Sequence, residues 1–120
     1  MKYPWLDGYC LGRTGCVKDY QQEWEATRYM VGGKMFAMTG CDNRGKTIVT
    51  LKLRPEFSSL LRHDYADIVP GYYMNKIHWN SVDLDGNVPE ALLKQMIDES
   101  HQLIFEALPK KVQRELKGEA

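Results

Sequence analysis

Two successive glycines, Gly32 and Gly33, stand between two segments of alternating side chains, and this pair limits what the chain can fold into more than any other feature. Upstream, Thr27, Tyr29 and Val31 alternate with Ala26, Arg28 and Met30; downstream, Lys34 to Thr39 is strand-like. A two-residue turn that matches the right-handed twist of strands needs positive φ at both positions, and glycine adopts it without a Cβ clash. An antiparallel hairpin over Trp24 to Thr39 is predicted. The β-branched run Lys46 to Leu53 follows and extends it into a three-stranded meander, and Pro55 stops the run.

Between the second and third of these strands lies GCDNRGKT, Gly40 to Thr47, which spells the phosphate-binding pattern G-x-x-x-x-G-K-[ST]. That chemistry needs a helix directly after the lysine, because the phosphates are held by the unpaired N–H groups and dipole of its first turn. Here Val49, Leu51 and Leu53 alternate with Ile48, Thr50 and Lys52, which is strand periodicity. The motif therefore reads as a hairpin loop rich in turn-forming residues and not as a nucleotide site.

The remaining punctuation gives the other elements. Pro4 opens a short helix running to Leu11 within Tyr3 to Leu11, with Trp5, Leu6, Tyr9 and Cys10 on one side and Gly12 at its end. Pro55 to His63 has proline at the first helical position, Glu56 in the first turn, and Arg62 and His63 in the last. Ile68 to Tyr73 and Ile77 to Leu84 read as two further strands, with a turn at Asp85 to Asn87. From Pro89, the residues Leu93, Met96, Ile97, Ser100, Leu103, Ile104, Ala107 and Leu108 follow helical spacing and predict one long amphipathic helix packed on the sheet. The order α-β-β-β-α-β-β-α implies an α+β two-layer sandwich, with an antiparallel sheet of about five strands and helices mainly on one face. With 120 residues, a single domain over positions 1–120 is expected.

Composition narrows the function. Sixteen Lys and Arg balance sixteen Asp and Glu, so the chain lacks the overall field of a protein that holds nucleic acid by charge alone, and any such role needs a local basic face. The tail Pro109 to Gly118 is locally basic, with four cations on a short terminal helix that reads as a solvated face. No apolar run approaches a membrane span, and the start MKYPWLDGYC lacks the apolar core of a secretory signal, which makes a cytoplasmic protein the expectation. Cys10, Cys16 and Cys41 have neither disulfide nor zinc spacing. His63, His78 and His101 are scattered over different elements, so no metal or cofactor is expected.

Asn75 to Gly86 holds His78, Ser81, Asp83 and Asp85, the residue types of an acyl-transfer triad. On a strand His78 and Ser81 point to opposite faces, and no nucleophile turn surrounds the serine, so no catalytic residue is assigned and an enzyme is not expected. Trp79, Val82 and Leu84 would share a face only with a bulge near Asn80 or Ser81. Lys52 and Arg54 share strand parity, as do Lys76 and His78. These four are the candidate nucleic-acid contacts, on the face of the sheet that the helices leave uncovered.

The stretch TIVTLKLRPE, followed by DIVPGYYMNKIHWNSVDLDGNVPEALLKQMIDESHQLIFEALPKK, resembles the MmcQ/YjbR family of small bacterial proteins. The resemblance runs from about Tyr3 to Val112, and its most specific parts are T-x-K-x-x-P-E at Thr50 to Glu56 and N-K-x-H-W at Asn75 to Trp79. It implies a two-layer sandwich related to the CyaY-like and secretion-chaperone-like group. It also implies DNA binding, by likeness of the fold to a double-wing domain of a phage transcription factor, which is analogy at the level of fold. Lys52, Asn75, Lys76, His78 and Trp79 match the family pattern, with no role to carry onto Asn75 and Trp79. The expected function is a small binding protein that contacts DNA weakly and without sequence preference. The alternative is a protein-interaction or chaperone-like module, self-associating or with a protein partner, that uses a sheet edge or an aromatic surface from Tyr65, Tyr72 and Tyr73.

Overall fold

The structure is a computed structural model that describes residues 2–71 and 75–118. Its elements are α1 (Leu6–Leu11), β1 (Val17–Gln21), β2 (Ala26–Val31), β3 (Lys34–Cys41), β4 (Thr47–Lys52), α2 (Pro55–Asp64), β5 (Ile68–Pro70), β6 (Trp79–Asp83), α3 (Glu90–Glu106) and α4 (Lys110–Leu116). All described strands join one antiparallel sheet in the order β1-β2-β3-β4-β6-β5.

The glycine pair forms the tight turn, with φ of 56° at Gly32 and 80° at Gly33. A strand, β4, follows Lys46, and the preceding loop is closed by Asp42, whose Oδ1 accepts hydrogen bonds from Arg44 N–H (2.8 Å) and Lys46 N–H (3.0 Å). The sheet has six strands where the sequence suggests about five. The addition is β1, whose first four residues are all exposed. It pairs with β2 alone, so it shows no buried alternation by which a strand is recognised in sequence.

Opposed residues of an antiparallel pair share a face, so the registers assign every strand position. Val49, Leu51, Val82, Asn80 and Ile68 face the helices. The four apolar ones join Leu93, Met96, Ile97, Phe36 and Leu61 in the core, with Asn80 buried beside them. α3 lies over β2, β3 and β4, and α2 lies against β5. Along α3 the expected stripe is buried at Leu93, Met96, Ile97, Ser100 and Ile104, while Leu103 is half-buried and Phe105 joins the core in its place. Burying a side chain of this size stabilises by about 1.5–3 kcal/mol, which outweighs the weak intrinsic preference of any one segment.

The bulge near Asn80 and Ser81 that would put Trp79 on one face with Val82 and Leu84 is absent. The β4–β6 register runs unbroken from Ile48↔Asp83 to Lys52↔Trp79, leaving Trp79 on the face opposite Val82. The sheet's irregularity lies instead between β2 and β3, beside Tyr29 and Met30. The two late strands are also shorter than their sequence pattern: β5 ends at Pro70 and β6 begins at Trp79. The suggested aromatic surface through Tyr72 and Tyr73 lies outside the described residues.

Candidate functional site

The antiparallel registers bring distant segments to two opposite ends of the sheet. At one end lie the close of β2, the Gly32-Gly33 turn, the start of β3, the close of β4 and the start of β6. This end carries Lys34, Lys52, Arg54, Lys76 and His78. At the other lie the close of β3, the start of β4, the close of β6 and the start of β5.

The structure brings the four sequence candidates to one corner, but by a route other than strand parity. Lys52 alone is on a strand, directly opposite Trp79 on the face away from the helices. Its backbone N–H donates to Ser100 Oγ (2.8 Å), which in turn donates to the Phe36 carbonyl, so α3 fixes the end of β4. Leu53 N–H donates to the His78 carbonyl (2.8 Å), which holds 52–54 beside 78–79. Arg54 has left the sheet as the N-cap of α2, and its guanidinium and N–H both bind the Glu99 carboxylate at 3.0 and 3.1 Å. It is already neutralised, unlike a cation on an open sheet face.

Lys76 and His78 occupy a turn and not a strand. Asn75 builds that turn: its Oδ1 accepts from Ile77 N–H (2.9 Å) and its carbonyl from Trp79 N–H (2.9 Å). This gives the motif asparagine a structural role. The residue that sequence reasoning passed over is Arg62. Its guanidinium reaches from α2 to Asn80 Oδ1 (2.7 Å), the Lys76 carbonyl (2.6 Å) and the Trp79 carbonyl (3.0 Å). Burial pulls its pKa below the ordinary arginine value, yet a guanidinium remains charged. Asn80, fully buried, completes the network by donating to Ser58 Oγ (3.0 Å) and the His78 carbonyl (3.2 Å). Nothing in the sequence separates Arg62 from any other cation near a helix end.

Most cations near the sheet are consumed by carboxylates: Lys18 by Asp7, Arg28 by Asp19, Arg44 by Asp42, Lys46 by Asp83 and Arg54 by Glu99. Among the described residues Lys34 and Lys52 have no side-chain partner, and Lys76 Nζ reaches only the Gly71 carbonyl, at 3.4 Å. Lys34, at the same end, opposes the core residue Val31 and so lies on the face of the sheet that the helices cover, apart from Lys52. The charge of a neutral chain is thus segregated.

Among the described residues, four helices gathered mainly on one side of a six-stranded antiparallel sheet define a small two-layer α+β protein. The chain belongs to the YjbR family, whose model matches residues 11–103. It is 34% identical over 101 residues to a YjbR protein of Escherichia coli described as uncharacterised, covering 84% of this chain and 85% of that one. It is 38% identical over 89 residues to Escherichia coli YbdF, covering 74% and 72%. The crystal structure of Deinococcus radiodurans protein DR2400 superposes with a TM-score of 0.84 at 30% identity, over 96% of this chain and 86% of that one. A Pseudomonas syringae structure shares the fold at a TM-score of 0.72 and 23% identity, over 86% of this chain and 98% of that one. Among the described residues no helix is long and apolar enough to cross a membrane.

Proposed function

We propose that the protein is a small binding protein that holds nucleic acid through its phosphates at the corner formed by Lys52, Lys76, His78 and Trp79. The observation that supports this is the set of lysines left without carboxylate partners at one end of the sheet, next to a half-buried tryptophan. Lysine ammonium groups on a surface neutralise phosphates without reading bases, so affinity is weak, independent of sequence and steeply lost in salt. Trp79 supplies a ring on which an unstacked base can lie, which favours single strands over duplex at equal charge. Arg54 contributes little, being held by Glu99. The test is fluorescence anisotropy with labelled duplex and single-stranded DNA at about 50 mM salt, where electrostatic binding of this kind is strong. Saturable binding of both, tighter for the single strand, supports the proposal; no change in anisotropy for either sinks it.

A second reading rests on the β1 edge, which exposes Val17 (65%), Tyr20 (60%) and, just beyond, Trp24 (52%). An unpaired edge accepts a strand from another chain, whereas charged side chains on an edge discourage it. Lys18 and Asp19 are ion-paired within the protein, so they neither repel nor recruit strongly. A dimer in sedimentation that dissociates on Tyr20→Lys would favour this reading.

A further inference from the structure

Charges taken out of water in a folded protein are normally paired, because burial disfavours the ion and an opposite charge offsets that cost. Arg62 departs from this rule. Its side chain is half-buried, and burial alone pulls its pKa down, with no carboxylate close enough to push it back up. Among the described residues it makes no ion pair, whereas Arg13, Arg28, Arg44 and Arg54 each hold a carboxylate.

The bonds that Arg62 does make all end on neutral oxygens. Nε–H donates to Asn80 Oδ1 (2.7 Å), and Nη2 donates to the Lys76 and Trp79 carbonyls (2.6 and 3.0 Å). These use three of the five guanidinium donors and leave both N–H groups of Nη1 without a partner among the described residues. No buried side-chain nitrogen or oxygen among those residues lacks a partner, so Nη1 is open to solvent and to a ligand.

Its acceptors also fix where that free donor points. Asn80 is fully buried and is itself tied to Ser58 Oγ and the His78 carbonyl, so bonds at Nε and Nη2 lock the plane of the guanidinium. Lys76 lies against it. The Lys76 carbonyl sits on Nη2, and its ammonium reaches only the Gly71 carbonyl (3.4 Å), while Gly71 N–H shares the Trp79 carbonyl with Arg62 (2.7 Å). Two cations without carboxylates are thus gathered on one set of backbone oxygens.

We infer that Arg62 is the fixed phosphate contact of the basic corner, Nη1 donating to a phosphate oxygen and the Lys76 ammonium neutralising the same group. The inference rests on the nucleic-acid reading for the source of that phosphate. A guanidinium already locked by three bonds loses little freedom on binding, unlike a surface lysine, so it anchors one phosphate in a set position while the lysines supply charge.

Side-chain spectra of protein carrying isotope-labelled arginine test it, because Arg62 Nε–H, held by Asn80, reports on its own guanidinium. The protein is titrated with sodium phosphate at fixed ionic strength and, separately, with a short single-stranded oligonucleotide. In both titrations the Arg62 Nε–H and Ile77 amide signals should shift and saturate, while Arg13 Nε–H, bonded to the Tyr9 carbonyl, stays still. Asn80→Asp keeps an acceptor for Nε–H but gives the guanidinium a negative partner, and should weaken both ligands about tenfold. Arg62→Lys keeps the charge but loses the locked donors, and should weaken them as much. Amide spectra matching wild type outside the Asn75 to Trp79 turn confirm that each variant is folded. Wild-type affinity in Asn80→Asp would overturn the inference. So would an oligonucleotide that binds with Arg62 Nε–H unmoved, an outcome that leaves the nucleic-acid reading standing. Phosphate that shifts Arg62 saturably when no oligonucleotide binds upholds the contact, with a free phosphate compound as its source, and overturns the nucleic-acid reading instead.

Discussion

The two ends of the same sheet are built from the same strands and differ in how their charges are spent. At the end with the Gly32-Gly33 turn, Lys34, Lys52 and Lys76 lack carboxylate partners, and Arg62 spends three donors on backbone carbonyls and Asn80. At the other, Asp42, Asp67 and Asp83 gather with Arg44 and Lys46. The field there reaches the core: burial first, then the charges of Asp67, Glu90 and Asp83, push the Tyr3 phenol above its usual range. A formal charge of +0 hides this arrangement. Net charge thus excludes a strong overall field but says nothing of local ones, which depend on which residues the register makes neighbours.

The two ends share one core, and removing part of it should disable both. Ile97→Ala, at a fully buried position on α3, is expected to cost about 2–5 kcal/mol through lost burial and a cavity. Chemical denaturation measures it, and an unchanged midpoint would show that α3 does not hold the sheet.

A narrower change separates the ends. Arg62→Met leaves Asn80 Oδ1 and the Lys76 carbonyl without their donor, while the Trp79 carbonyl keeps Gly71 N–H, at a cost of about 1–3 kcal/mol. Its effect should be confined to the turn from Asn75 to Trp79: amide exchange rises there and DNA affinity falls, while Arg44, Lys46 and Asp83 at the far end stay unaltered. Uniform exchange across both ends would contradict the separation.

Acid acts on the opposite end and more gently. Burial alone would raise the Asp42 carboxyl, but hydrogen bonds from Lys46 N–H and Arg44 outweigh it and hold the pKa below the ordinary carboxylate value. A depressed folded-state pKa contributes stability above the unfolded value, near 3.9, which is lost as pH falls through the folded one. The Arg44 and Lys46 amide signals should therefore shift below about pH 4, and Asp42→Asn should remove that transition. Asp7, held down by hydrogen bonds from Lys18 and Tyr29, should titrate in the same direction. An unaltered transition in Asp42→Asn would assign it to another carboxylate.

Much of this architecture was legible in the chain because its signals are local. Gly32-Gly33 demanded positive φ, Pro55 and Pro89 marked helix starts, and the α3 stripe followed helical spacing. β1 was not legible, since an exposed edge strand has no apolar alternation to display. The corner was half legible. Lys52 lies on the predicted strand, but Arg54 is diverted to Glu99, 45 residues away, and the turn at Lys76 and His78 is fixed by Arg62 and Asn75. The acidic end was illegible because Asp67 and Asp83 become neighbours only through the β5–β6 register.

The central claim is that nucleic acid is held at one end of the sheet and not the other, and the salt dependence of DNA affinity in paired variants tests it most directly. Wild type should show log K falling with log salt at a slope of about −3 on duplex DNA, as expected for roughly three neutralised phosphates. Lys52→Ala and Lys76→Ala should each make that slope shallower by about one unit, while Arg44→Ala, at the acidic end, should leave it unchanged. A slope altered equally by all three, or a wild type that retards no DNA at about 50 mM salt, would contradict the claim.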